Sequence, residues 1–446
     1  MAGRNLMVTN QGRPMPFEHT LVSKKKIAII GAGISGLGAA HRLSHHHNIV
    51  VFEASNRLGG HARTIIGGKN GDMPIDTGFL VFNDVNYPHL IKLFDDLNIE
   101  RVHSDMSFGV SIDDGWLEYA LLGFDKLFAQ KRNAIRPKYL GMLRDILKFN
   151  AQADKAARGT DQTIGQLIKS LGLGAWFKDY YLTPFTGAIW STPVEDILEF
   201  PAHAMIAFMK NHQIMGMTGQ HQWQSVKGGS QVYVGRLAAR LRGNGVEIRT
   251  STSVDAVRRS DGIVEVKVAG GEWEIFDDVI FATHSDQTMA MLTDPTPIEH
   301  AALSAVRYQP NEMVLHADEN IMPNRKAAWA SWVYTEDKDK KSDRIDLTYW
   351  INNLQALPDD DPAFVTLNTQ RFIDPSKIYD THTFHHPVFD TAAIKAQSAI
   401  AGINGDHHTW YCGAWMRNGF HEDGLATGIE AAEGLLAKDQ VMLAAE

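Results

Sequence analysis

The sequence predicts an α/β fold with more than one domain, and three observations carry that prediction. The stretch from Lys26 to Glu53 runs strand, glycine-rich turn, small-residue helix, strand. The chain has 446 residues, too many for one hydrophobic core, which suggests two or three domains. Finally, helical patterns replace the opening pattern from Trp116 to Trp223, and turn, helix and strand signals return from Val226.

In the opening stretch, Ile27-Ala28-Ile29-Ile30 leads into Gly31-Ala32-Gly33-Ile34-Ser35-Gly36. Gly31 permits the tight strand-to-helix turn. Gly33 lets a pyrophosphate approach the backbone, and Gly36 lets the helix pack closely on the strand. The bare N–H groups of the helix start, from Ser35 onward, face the phosphate charge. Glu53 stands 17 residues after Gly36, at the end of the strand Ile49-Val50-Val51-Phe52, where a carboxylate accepts hydrogen bonds from both ribose hydroxyls. A 2′-phosphate would be repelled there. This is a Rossmann-type βαβ unit for a plain adenine dinucleotide, FAD or NAD.

Composition bounds the rest. Hydrophobic residues make up 44% and charged residues 21%, the proportions of a soluble globular protein. The net charge of −9 gives no electrostatic footprint for nucleic acid. Cys412 is the single cysteine, so no internal disulfide forms and a reducing cytoplasm is the expected compartment. Residues 1–24 contain no apolar run and read as a flexible leader, not a signal peptide. No stretch approaches the roughly 18 apolar residues of a spanning helix, which leaves peripheral membrane contact open.

After Glu53 the chain reads Ala54-Ser55-Asn56-Arg57-Leu58-Gly59-Gly60-His61-Ala62-Arg63-Thr64. Gly59 and Gly60 give a second close backbone approach, with Arg57 and Arg63 as cations for a pyrophosphate. In this order of βαβ unit, acid and Arg-x-Gly-Gly-x-x-x-Thr, the sequence resembles the flavin-containing amine oxidase superfamily, which includes monoamine oxidases, protoporphyrinogen oxidases and carotenoid desaturases. The resemblance implies FAD in place of NAD, with Ala54 and His61 added to its contacts. Asp76-Thr77-Gly78-Phe79-Leu80-Val81-Phe82 looks like the segment that passes beside the isoalloxazine ring, so Gly78, Phe79 and Leu80 are expected there. Val254 matches a valine that touches the adenine through its backbone. The run from Trp410 to Ala432 is similar to the carboxyl-terminal flavin segment, where residues matched by Gly413, Asp423, Leu425 and Ala426 touch ribityl, pyrophosphate or ring. A strand ending at Gly413, a loop carrying Asp423-Gly424 and a helix opening after it are expected.

The implied architecture is a two-domain α/β protein. FAD-binding segments cover 25–110, 225–298 and 405–440, and an α+β substrate domain has a helical part at 111–224 and a sheet part at 299–404. Within the helical part, Thr183 to Pro193 is rich in turn formers and aromatics. Met205-Ile206-Ala207-Phe208-Met209 and Ile214-Met215-Gly216-Met217 read as plain core or, alternatively, as the lining of a long apolar pocket. In the sheet part, alternation around Met313–His316, Trp329–Tyr334 and Leu347–Asn352 marks strands, with Trp332, Tyr349, Trp350 and Asn352 as candidate lining residues. Glu336 to Lys341 reads as a solvated hairpin tip.

Two departures from the superfamily carry meaning. Leu425 stands where the amine oxidases keep an aromatic after the glycine that opens the final helix. Cys412 lies outside the setting of the covalent flavin link, so FAD is expected to be non-covalent. The branch resembled best shares the Arg-Leu-Gly-Gly-His block, the Ala188–Ser191 turn and the run from Asn418 to Gly424. Some of its members are associated with enzymes that methylate or cyclopropanate unsaturated acyl chains of phospholipids. The implied reaction is desaturation of a modified acyl chain, with an apolar acyl-lipid substrate and a partner methyltransferase. Amine oxidation and a non-catalytic lipid-binding flavoprotein are the alternatives. His421, Glu422 and His61 are the candidate catalytic residues. The pairs and runs at His45–His47, His385-His386 and His407-His408 read as surface residues in turns, and no metal is expected.

Overall fold

The structure is a computed structural model that describes residues 24–121, 123–190, 194–215, 221–260, 262–336 and 345–445. The expected leader therefore lies outside the described residues apart from Lys24, as do Ser191, Met217 and the charged run after Glu336.

A parallel five-stranded sheet is assembled from distant parts of the chain. Its order is Glu247–Arg249, Asn48–Phe52, Lys26–Ile30, Asp278–Phe281 and Thr409–Tyr411. The three central strands read as near-continuous apolar runs because both of their faces are covered. The helix Ile34–Leu43 packs against the final helix, His421–Ala445, through small residues. A Cβ on Gly36 would sit 2.0 Å from the Gly31 carbonyl oxygen, and one on Gly428 would sit 2.2 Å from that of Ser35. Only glycine allows these approaches. Strands Val254–Ser260 and Ile263–Val268 pair antiparallel as a hairpin.

The second sheet has seven strands in the order Ile378–Pro387, Tyr308–His316, Phe364–Leu367, Asp346–Trp350, Trp332–Glu336, Phe108–Ile112 and Leu117–Ala120. Its pairs are antiparallel except where Trp332–Glu336 runs parallel to Phe108–Ile112. The strands at 108–120 differ from the sequence reading, which begins the helical part there. Two short apolar strands next to helical patterns lack the alternation that would mark them, because both of their faces are buried.

Helices Pro137–Ala157, Ile164–Ser170, Thr183–Trp190 and Ala202–Asn211 form the layer against this sheet. The expected turn at Ala188 is the end of a helix. Met205, Ile206 and Met209 are at most 1% exposed and face the core, as the plain reading has it, whereas Phe208 and Ile214 of the same run line the cavity between the two sheets, as the alternative has it. Asn352 corrects another expectation. It lies in the helix Ile351–Gln355, and its amide holds the carbonyls of Pro358 and Asp361. Trp350 turns to the opposite face and packs on Trp329.

Candidate active site

One cavity of about 1070 Å³ runs between the two sheets, larger than an ordinary ligand pocket. Its first part is walled by residues from all three nucleotide segments: Gly31, Gly33 and Ser35, then Glu53, Ala54, Gly59, Gly60 and His61, with Val254, Gly413 and His421. The two glycine blocks interlock. The Gly59 N–H donates to the Ala32 carbonyl at 2.8 Å, and a Cβ on Gly60 would meet Gly33 Cα at 3.1 Å. A Cβ on Gly33 would meet nothing within 4 Å, so its backbone borders open space of the kind a pyrophosphate fills. The Glu53 carboxylate is held by the N–H groups of Ala32 and Ser55, both at 2.9 Å, which fixes it at the cavity wall. Glu53 is the one Asp, Glu, Lys or Arg in the described lining.

The middle of the cavity is bordered by Gly78, Phe79, Leu80, His61, His284, His386 and His421. The strands cross closely here, and a Cβ on Gly78 would sit 2.1 Å from the His61 carbonyl oxygen. His421 stacks on Phe79, ring centroids 3.9 Å apart, and its Nε2 lies 2.7 Å from the Tyr233 hydroxyl. Burial holds the imidazoles neutral: His421, His61 and His386 are pushed down to about 3 and His284 to about 4, with neighbouring histidines or Arg57 adding to the effect. His284 stacks on Tyr308 at 4.3 Å, and His386 Nδ1 takes the Asn311 amide at 3.0 Å.

From there an arm extends into the helical layer. Its walls include Met106, Leu127, Phe128, Leu143, Ile146, Tyr181 and Phe185, with Phe108, Trp332 and Tyr349 from the sheet. Trp332 and Tyr349 are register partners and meet edge to face at 4.8 Å. Phe420 and Phe208 stack at 4.9 Å where the arm joins the middle.

Several candidate residues are placed differently from the sequence reading. Glu422 does not line the cavity; its carboxylate accepts the N–H groups of His89 and Leu90, both at 2.9 Å, and caps the helix Pro88–Asp96. It is a helix cap, not a base at the ring. Arg57 folds onto its own loop, donating to the Gly60 carbonyl at 2.8 Å, and Arg63 pairs with Asp380 at 2.6 Å, so neither arginine lines the cavity. The final helix opens at His421, earlier than expected, with the Gly424 N–H on the Phe420 carbonyl. Leu425 and Ala426 are thus inside the helix, and the Leu425 side chain packs where a Cβ on Gly38 would meet it at 2.5 Å. Phe420, just before this helix, lines the cavity and supplies an aromatic there, whereas Leu425 is packed within the helix. Asp423 accepts the Phe420 N–H at 2.9 Å, and burial raises it to about 6.

The histidines also need correction. His386 lies in the strand Ile378–Pro387, not in a turn, and lines the cavity. The period-two run His382, Phe384, His386 is the signal that identifies it. His47 is buried 3.2 Å from Asp439, and His408 lies 3.5 Å from Asp278. Among the described residues no three His, Cys, Asp or Glu converge as a metal site. Trp332 and Tyr349 line the arm as expected, whereas His284, Tyr308, Phe420 and the other arm residues escaped the sequence reading because single aromatics and aliphatics in apolar runs look like core.

A family model described as flavin containing amine oxidoreductase matches residues 34–317. The chain belongs to this family. Its cofactor is FAD, and the interlocked glycines, the fixed Glu53 carboxylate and the open cradle at Gly33 fit that dinucleotide. Protoporphyrinogen oxidase 2, chloroplastic/mitochondrial, of Arabidopsis thaliana is 40% identical over 81 residues, which is 18% of this chain and 15% of that protein. The matched stretch is thus well under two thirds of that relative. Over nearly its whole length the chain shares its fold with cyclohexylamine oxidase of Brevibacterium oxydans, at TM-score 0.68 and 14% identity, covering 93% of this chain and 99% of that one. A CLA-producing fatty acid isomerase from P. acnes gives TM-score 0.64 and 15% identity, covering 91% and 97%.

Proposed function

We propose that the protein is an FAD-dependent oxidoreductase that desaturates an apolar, methylated acyl chain of a lipid. The observation that carries this reading is the arm, a long apolar extension of the cofactor cavity whose described walls hold no Asp, Glu, Lys or Arg. A polyamine would find no carboxylate there for its distal ammonium groups. An acyl chain needs only apolar burial, about 0.8 kcal/mol per methylene. The fold accommodates such a ligand, since a neighbour of the same fold is named as a fatty acid isomerase.

Bound FAD supplies a hydride acceptor at the flavin N5. The chain's own residues do the rest. The arm aligns the acyl chain and excludes water, and Phe420 with Phe208 fixes where it enters the middle of the cavity. His61 is neutral and makes no side-chain hydrogen bond to another described residue, which leaves one ring nitrogen to take the proton from the adjacent carbon. His421, tied to Tyr233, positions the ring wall. The two electrons then pass to dioxygen or another acceptor. A partner enzyme that methylates unsaturated acyl chains would supply the substrate.

Phe420 keeps amine oxidation as the second reading, restricted to apolar monoamines. Anaerobic titration of the FAD-loaded protein separates them. Loss of flavin colour with a methyl-branched acyl phospholipid, and none with a monoamine panel, is the expected result; bleaching by amines alone would overturn the acyl reading. A flavin that never bleaches would mark a non-catalytic lipid-binding protein.

A further inference from the structure

The helical layer leaves an apolar face uncovered at the outer end of the arm. Phe124 and Leu147 line the cavity yet are 76% and 57% exposed, and Ile135 and Leu140 are 83% and 43% exposed. They belong to the short helix Phe124–Leu127, the turn Lys131–Ile135 and the helix Pro137–Ala157. Along that last helix Leu140, Arg144, Leu147 and Ala151 share the outward face, while Tyr139, Met142, Ile146 and Phe149 are buried. Scattered exposed apolar residues need no explanation, but a group at the mouth of an apolar arm does.

Residues 124–148 also carry seven Lys or Arg against two Asp, in a chain of net charge −9. Asp145 is buried and held by the Gly174 N–H, and Lys131, Arg132, Lys138 and Arg144 are exposed. We propose that this face seats the protein on an anionic lipid bilayer. Phe124, Ile135, Leu140 and Leu147 enter the headgroup boundary, and Lys131, Arg132 and Lys138 meet lipid phosphates. Charge selects the occupant. A second copy of the chain would bring like charge to a symmetric contact, whereas a bilayer offers a negative surface over an apolar interior. Continuity selects it too, since Phe124 and Leu147 belong both to the face and to the arm, so a chain passes from bilayer to arm without crossing water. That passage rests on the acyl reading of the arm; the docking itself does not.

The test is sedimentation of the FAD-loaded full chain with vesicles of phosphatidylcholine, with and without phosphatidylglycerol. The double variants Ile135→Asp/Leu140→Asp and Lys131→Glu/Lys138→Glu are compared with the unaltered protein, and none of these positions lines the arm. The unaltered protein is expected to sediment with the anionic vesicles and about tenfold less with phosphatidylcholine alone. Each double variant should bind about tenfold more weakly or worse while keeping its FAD and its bleaching by detergent-dispersed acyl lipid. An unaltered protein that stays in the supernatant, variants that bind unchanged, or a dimer that the apolar variant splits would each overturn the proposal. Vesicle binding without bleaching leaves docking standing and removes the acyl reading; bleaching without vesicle binding does the reverse.

Discussion

Replacing Glu53 with Gln tests the cofactor site at its adenine end. The two carboxylate oxygens accept the N–H groups of Ala32 and Ser55, each at 2.9 Å, and retain lone pairs toward the cavity. Gln keeps one acceptor oxygen and turns an NH₂ toward one of these N–H donors. The ribose then faces a neutral, misdirected group. A hydrogen bond to a charged group contributes roughly 1.5–3 kcal/mol, so the FAD dissociation constant should rise between about tenfold and 150-fold. The assay strips FAD from the protein and follows the quenching of flavin fluorescence on rebinding. Glu53→Asp, which keeps the charge on a shorter stem, should fall between the two. A Gln variant that folds normally and binds FAD within about twofold of the unaltered protein would refute the placement of the ribose at this carboxylate.

Other predictions concern residues whose roles the structure separates. Glu422→Gln should leave the rate of flavin reduction within about twofold while lowering stability by roughly 1 kcal/mol, because it weakens a helix cap; a loss of activity at constant stability would restore it as a base. Glu299 is buried, which pushes its pKa up, but Arg259, Tyr411 and the Thr296 N–H outweigh burial and hold it at about 2, below its ordinary 4.5. Its stabilising contribution, about 3 kcal/mol, is therefore complete above pH 4.5 and is lost as the pH falls through 2. Glu299→Gln should cost roughly 3–5 kcal/mol in urea unfolding at neutral pH by removing the buried partner of Arg259 and leaving it only the more exposed Asp294, and a cost below 1 kcal/mol would contradict that. Cys412 is wholly buried, and burial raises its thiol to about 12, so acid precipitation should release FAD into the supernatant and thiol reagents should react only on unfolding.

The dinucleotide site was legible because its parts are local. The turn from Gly31 to Gly36, Glu53 at a strand end and the Gly59-Gly60 block each encode their geometry within a few residues, and they meet as expected. Residues whose position depends on a helix boundary were less legible. Four residues separate a helix opening at His421 from one opening at Leu425, and that shift turns Leu425 into the helix packing and leaves Phe420 just before the helix at the cavity wall. Side-chain direction was hidden for the same reason at Glu422 and Arg57, whose partners, the amides of His89 and Leu90 and the carbonyl of Gly60, depend on tertiary or loop geometry. The arm was legible only at Trp332 and Tyr349, on its sheet wall. Met205 and Met209, the residues most suggestive of a pliable pocket, are core, while Leu143 and Ile146, ordinary members of a helical stripe, line it.

The central claim, oxidation of an acyl chain held in the arm, is tested most directly by mass spectrometry of a defined lipid. The FAD-loaded protein is incubated with a methyl-branched acyl phospholipid and an electron acceptor, and the recovered acyl chains are analysed. The account predicts a product lighter by two hydrogens, with the new double bond in the acyl chain. Recovery of unaltered acyl chains from a protein that binds FAD and turns over an amine would contradict it.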